Sequence, residues 1–146
     1  SYPDHNTIAV WARNIGKDRA SRAWVWNRIA ASNGRLTFGS DWPVVTLDPW
    51  EGIQTGVTRQ TAEGKPAGGF VPSERLTLAR AVEGYTMGAA YAGFRDRDEG
   101  SITVGKLGDV IMISQDIFKV APATLAQTKV LLTVVAGKVV YRASQK

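Results

Sequence analysis

The sequence predicts an α/β architecture in which the end of a βα repeat runs into a piece of a separate small sheet. Three observations carry this. A short apolar run, Leu36 to Gly39, stands between segments of helical period. The clearest helical pattern comes later: Leu78, Ala81, Val82, Tyr85 and Ala89 share one apolar face. From Val110 onward the pattern changes to period two or to continuous apolar runs. The order is helix, strand, helix, helix and then several strands. A boundary near Gly100 to Asp109 divides the chain into residues 1–99 and 100–146.

Each element has a local reason. Asp18 to Asn33 reads as one helix, with Asp18 as its cap and apolar residues at Ala20, Ala23, Trp24 and Ala31. Asn33-Gly34 supplies a left-handed stop. Leu36 to Gly39 then reads as a short buried strand, which Pro43 prevents from continuing. Pro49 to Thr61 is weakly helical, with proline acceptable in a first turn and Asp48 free to cap it. Gly64 to Pro72 is a loop, and Thr77 caps the helix that follows. A polar turn begins at Arg95. Strands are expected at Val110 to Ile113, Val130 to Val135 and Val139 to Tyr141, the last two joined by a hairpin at Ala136-Gly137-Lys138.

Composition narrows the function classes. With 44% hydrophobic and 21% charged residues, the 146-residue chain is ordinary globular material, long enough for a real core. No apolar run approaches the ~20 residues of a membrane span, so no membrane partner is expected. The net charge of +5 and pI near 9.7 invite a nucleic-acid reading. Lys17, Arg19, Arg22 and Arg28 are scattered singly, however, with no basic cluster interleaved with aromatics, so no nucleic-acid partner is expected. Cysteine is absent, which fits a reducing compartment and a cytoplasmic location. Ser1-Tyr2-Pro3-Asp4-His5 shows no leader pattern, and the lack of an initiator Met suggests a start further upstream.

The sharpest candidate is Asp41, within "RLTFGSDWPV". In α/β architectures function sits outside the carboxyl ends of strands, where a carboxylate can ligate a metal and take a proton from water. The alternative is a turn-forming Asp that caps local amides. His5 is the one histidine and a candidate active-site neighbour. Ser40, His5 and Asp41 do not form a nucleophile triad: "FGSDW" is not the G-x-S-x-G elbow, and adjacent Ser and Asp cannot hold a His between them. "GSITVGKL" nearly matches a phosphate loop, but Leu107 replaces the required hydroxyl and a strand follows instead of a helix. Among the tryptophans, Trp24 and Trp26 are expected to pack rather than stack on a ligand, and Gly64 to Gly69 could form a lid.

Several motifs in order resemble the amidohydrolase superfamily, specifically amidohydrolase family 3, the N-substituted formamide deformylase-like group. They are "RLTFGSDWPV", "LDPWEGI" (Leu47 to Ile53), "VTRQTAEGKPAGGFVPSERLTLARAVEGYTMGAAYA" (Val57 to Ala92), "GSITVGKLGDVIMIS" and "VLLTVVAGKVVY". The resemblance implies the C-terminal part of a metal-dependent (β/α)8 barrel plus strands of a small β-sandwich. Leu36 to Gly39 would be the eighth barrel strand. Asp41 would be the metal-associated aspartate, ligating a divalent, Zn²⁺-like ion and acting as general base. His5 matches the position after the seventh strand, with Tyr2 where the family has Gln; Gly108 stands where Ala is usual, and Asp109 is a structural turn residue.

The resemblance also implies ligands that this chain lacks, including an H-x-H pair and two further histidines. A zinc site needs three protein ligands and an open position, and a whole barrel needs roughly 200–250 residues or more. The expectation is therefore a C-terminal portion of a hydrolase acting on a small-molecule amide, inactive alone. Its partner would be the remainder of the barrel, upstream or in another chain, and its bare strand edges would favour a homo-oligomer. The alternative expectation is a short non-catalytic relic that serves as a binding or self-association module.

Overall fold

The run of helix-compatible residues from Asp18 to Asn33 does not make one helix. In a computed structural model, which describes residues 8–144, a wide helical turn (Ile8–Ala12) leads into α1 (Arg13–Ile15) and α2 (Lys17–Ala20). The chain then bends and resumes as α3 (Trp26–Ala31). Asp18 lies inside α2 rather than capping it, and its carbonyl accepts from Ser21 Oγ. The predicted stop at Asn33 does form, with φ of 61°.

The break has a tertiary cause. Trp24 adopts φ of 49°, which turns the carbonyls of Ala23 and Trp24 out of helical register. The guanidinium of Arg59 collects both, through Nη2 to Ala23 O and Nη1 to Trp24 O, while its Nε donates to Phe70 O at 2.8 Å. Arg59 is wholly buried and its guanidinium lies 4.5 Å from the centre of the Trp26 ring. Burial lowers its pKa to about 10, with nearby Glu74 working in the other direction, so it stays charged at neutral pH. One planar fork thus ties together segments 35 and 36 residues away.

Glu74 extends this network. It is buried, in a 3₁₀ turn (Pro72–Glu74), and caps α3 from outside by accepting from the Arg28 backbone amide at 3.2 Å. Its other oxygen receives Arg28 Nε. Burial raises the Glu74 pKa, yet the Arg28 amide and guanidinium outweigh it and hold the carboxyl below its ordinary value.

Asp48 caps α4 (Pro49–Thr58) as expected, its carboxylate accepting from Trp50 N at 3.0 Å. The helix stops at Thr58 because Arg59 turns left-handed. Thr77 caps α5 (Leu78–Tyr85), again as expected. The apolar face expected to run on to Ala89 is interrupted at Thr86, whose hydroxyl bonds back to Val82 O, and α6 (Met87–Ala92) continues from there. Trp50, Ile53 and Ala81 form the core with Ile117 and Leu125. Burying such a side chain is worth about 1.5–3 kcal/mol, so these contacts are the main apolar stabilisation. Gln54 Oε1 also accepts from Ala126 N, which joins α4 to a 3₁₀ turn (Pro122–Gln127).

The sheet has three antiparallel strands, β1 (Val110–Ile113), β2 (Val130–Val135) and β3 (Lys138–Arg142), in that order. Val135 pairs with Lys138, leaving Ala136 and Gly137 as a two-residue turn with φ of 48° and 75°. Asp109 accepts from Ala136 N at 2.6 Å and so holds that turn, as the structural role expected of it requires.

The barrel strand expected over Leu36 to Gly39 is not formed. The segment is extended but has no ladder partner among the described residues, and its side chains alternate between half-buried and exposed. No (β/α)8 barrel is present among them either, and the strands at the C-terminus make one sheet rather than a two-layered sandwich. A strand needs lateral partners for its amides and carbonyls. Lacking them, this segment borrows acceptors from the helices: Phe38 N donates to Gly84 O at 3.0 Å and Thr37 Oγ1 to Gly88 O at 2.9 Å. Gly84 and Gly88 permit the approach. A Cβ on the first would strike the Phe38 ring, and one on the second the Leu36 carbonyl oxygen.

Three outcomes follow from this arrangement. Arg59→Ala takes the guanidinium donors from the Ala23 and Phe70 carbonyls, Trp24 O keeping the Trp26 amide, and lowers stability by about 3 kcal/mol in urea unfolding, with Arg59→Lys recovering less than half because it lacks the fork. Gly88→Ala costs more than ~1 kcal/mol in the same assay, whereas Gly39→Ala, which meets nothing within 4 Å, changes little. Because the Glu74 pKa is depressed by folding, its stabilisation is present above the unfolded carboxylate range near ~4.3 and is lost as pH falls through the folded value. The urea midpoints of wild type and Glu74→Gln should therefore differ at pH 7 and draw together as pH falls below the unfolded carboxylate range.

Candidate active site around Asp41

Asp41 stands where the extended segment ends. Phe38 anchors that segment: its ring lies 5.5 Å from Trp26 and 5.6 Å from Tyr85, and its amide is held by Gly84. Three residues later the chain turns sharply. Asp41 has φ of 50°, a left-handed conformation that Asp tolerates better than most residues, and its carbonyl accepts from Val44 N at 2.9 Å. The Trp42-Pro43 peptide within the turn is cis.

The carboxylate itself is exposed, and no hydrogen bond engages it among the described residues. Asp41 is thus a turn residue by backbone, and among the described residues its side chain caps no amide of the turn. Around it Trp42, Val44 and Leu47 are 62–68% exposed, an apolar rim on an otherwise polar turn. Beside it, Gly39 and Val45 line a shallow cleft with Trp26, Phe38 and Tyr85. Burial raises the Tyr85 pKa, so its phenol stays protonated at neutral pH.

His5 lies outside the described residues. Among those described, no group of three or more His, Asp or Glu side chains is placed to hold a metal. One exposed carboxylate does not fit a zinc centre, which takes three protein ligands. The residues described here therefore do not make a metal site by themselves.

The other candidates resolve into structure. Lys106 of the near phosphate loop donates to Asp96 O and Glu99 O at 2.7 and 2.8 Å and reaches Met87 Sδ, so its ammonium is spent on local carbonyls. Trp24 packs between Trp11 and Phe70, and Trp50 is buried in the core. The glycine-rich loop is pinned by Gln60 Nε2 to Gly64 O and Pro66 O and by Arg75 Nη2 to Gly68 O. Arg59, Glu74 and the Phe38 clamp were not singled out from the sequence. Only the four-residue spacing of Gly84 and Gly88 on one helical face offered a local signal for them.

With this geometry in view, comparison with known proteins is specific. Residues 5–141 match the amidohydrolase family. An amidohydrolase named YtcJ from Bacillus subtilis (strain 168) is 32% identical over 130 residues, covering 89% of this chain and 25% of that protein. The protein Long After Far-Red 3 of Arabidopsis thaliana is 33% identical over 142 residues, covering 95% of this chain and 24% of its own length. N-substituted formamide deformylase of Arthrobacter pascens is 35% identical over 107 residues, 73% of this chain and 19% of that enzyme. The chain thus spans a quarter or less of the length of these relatives. The ordered motifs around Asp41 and the family match over nearly the whole sequence agree: this chain belongs to the amidohydrolase family.

Proposed function

We propose that this chain is the C-terminal portion of a metal-dependent amidohydrolase that cleaves an amide-like, non-peptide C–N bond in a small molecule. The observation that carries the reading is Asp41, an exposed carboxylate free of local hydrogen bonds among the described residues, on a turn whose sequence matches the family. Residues 1–99 would be the last βα units of the barrel and residues 100–146 strands of its sandwich. Asp41 acts as general base: it takes a proton from the attacking water and returns it to the departing nitrogen. In this reading it is also one donor to a divalent ion, Zn²⁺ by family analogy, whose other donors lie outside the described residues. His5 is a neighbour of that site. The 146-residue chain alone lacks the donors and is inactive.

A second reading has one observation behind it. Ile111, Met112, Val139 and Val140 on the sheet are 51–62% exposed, and such a surface also suits a self-associating module. Intact mass and metal analysis of the product of the native gene separate the two. A product several times heavier than 15.8 kDa, or a co-purifying histidine-bearing chain, with about one or two metal ions bound and amide hydrolysis that Asp41→Asn lowers by 10²–10⁴, supports the enzyme. A single 15.8 kDa species without hydrolysis supports the module.

A further inference from the structure

Helices α5 and α6 would run on as one helix but for Thr86. Its φ of −118° and ψ of −91° leave the helical region, and its hydroxyl turns back to Val82 O at 2.9 Å. A continuous helix spends the carbonyl of residue 84 on the amide of residue 88. At this interruption Gly84 O accepts from Phe38 N at 3.0 Å. Just beyond it, Gly88 O accepts from Thr37 Oγ1 at 2.9 Å. Both acceptors belong to glycines, whose missing Cβ leaves room for the Phe38 ring at one and the Leu36 carbonyl at the other. Two neighbouring residues of the extended segment are thus held by the two sides of one helix break.

The clamp lies close to the candidate base. Gly39 and Ser40 alone separate Phe38 from Asp41, at most roughly 11 Å of chain. On the far side of the turn, Asp48 fastens the chain to α4 by accepting from Trp50 N. The two footings are joined to each other, since Trp50 and Ile53 of α4 pack with Ala81 of α5. We propose that Thr86 and Thr37 are positioning residues for the reaction: the break and the hydroxyl together fix the upstream footing of the turn, and so where the Asp41 carboxylate stands. The inference rests on the hydrolase reading. It matters because a misplacement of about 1 Å, made away from the chemistry, can slow a reaction by ~10²-fold.

The test uses the full-length product of the native gene, with formanilide and acetanilide as probes and released aniline as the signal. Thr37→Val deletes the hydroxyl and should lower kcat about 10–100-fold, with KM within about twofold of wild type. Thr37 is exposed, so the thermal midpoint should move by less than about 2 °C. Thr37→Ser keeps the donor and should restore kcat. Thr86→Ala places a strong helix former at the break, drawing Gly84 O back toward the Gly88 amide, and should reproduce the loss; it also serves if Thr37→Val does not fold. Fluorotryptophan at Trp42, next to Asp41, supplies an independent signal. Its fluorine NMR line should shift in Thr37→Val and Thr86→Ala and return in Thr37→Ser. Wild-type hydrolysis with unchanged kcat in the folded variants, or a loss that Thr37→Ser does not reverse, removes the positioning role and leaves the enzyme. A wild-type product that hydrolyses neither probe, while the fluorine line still moves, removes the hydrolase reading and the positioning role with it, and leaves only the clamp.

Discussion

Much of the helical half is arranged around one guanidinium. Arg59 has no exposed surface, and two of its three carbonyl acceptors, Ala23 and Trp24, lie where the first helix breaks, the third being Phe70 in a loop. A buried cation costs several kcal/mol to desolvate, so the position is tolerable only because its donors are met and Glu74 lies nearby. In return a bend, a helix start and a loop are fixed by one side chain. Trp26 rests on that group, Phe38 rests on Trp26, and the turn bearing Asp41 begins three residues beyond Phe38. The candidate base is therefore held at second hand by a residue with no part in the chemistry.

The two ends of the chain solve their backbone problem differently. The C-terminal strands satisfy one another, and Asp109 closes the hairpin that joins two of them. The outer strand β3 is left bare, every residue of it exposed, whereas β2 is mostly half-buried. In the helical half the extended segment has apolar side chains that pack well and backbone groups that must borrow partners. Gly84 and Gly88 let it lie close enough to α5 and α6 to do so.

How legible this was depends on the range of the interaction. The caps at Asp48 and Thr77 and the Ala136-Gly137 hairpin were readable because each is decided within four residues. The split of the first predicted helix was not, since its cause sits 35 residues downstream in a residue that looks like any other arginine. The missing strand at Leu36 to Gly39 shows the same limit: alternation predicts an extended chain, but a ladder depends on which neighbours arrive. At the site, Asp41 stood out by its motif, whereas its left-handed backbone and the lack of a hydrogen bond to its carboxylate among the described residues did not. The aromatic cleft was invisible because Trp26, Phe38 and Tyr85 meet from three separate elements.

The hydrogen bond from Ala126 N to Gln54 bears on the order in which the chain can fold. It closes a loop of 72 residues, an entropic cost of about 4 kcal/mol before any contact rewards it. Leu125 and Ile117 reach the core of Trp50, Ile53 and Ala81 only by the same closure. During synthesis α4 and α5 can form their caps early, but the surface between them stays wet until residue 126 has emerged. The hairpin made by the last strands is local and quick, yet the core it accompanies is among the last things to be built.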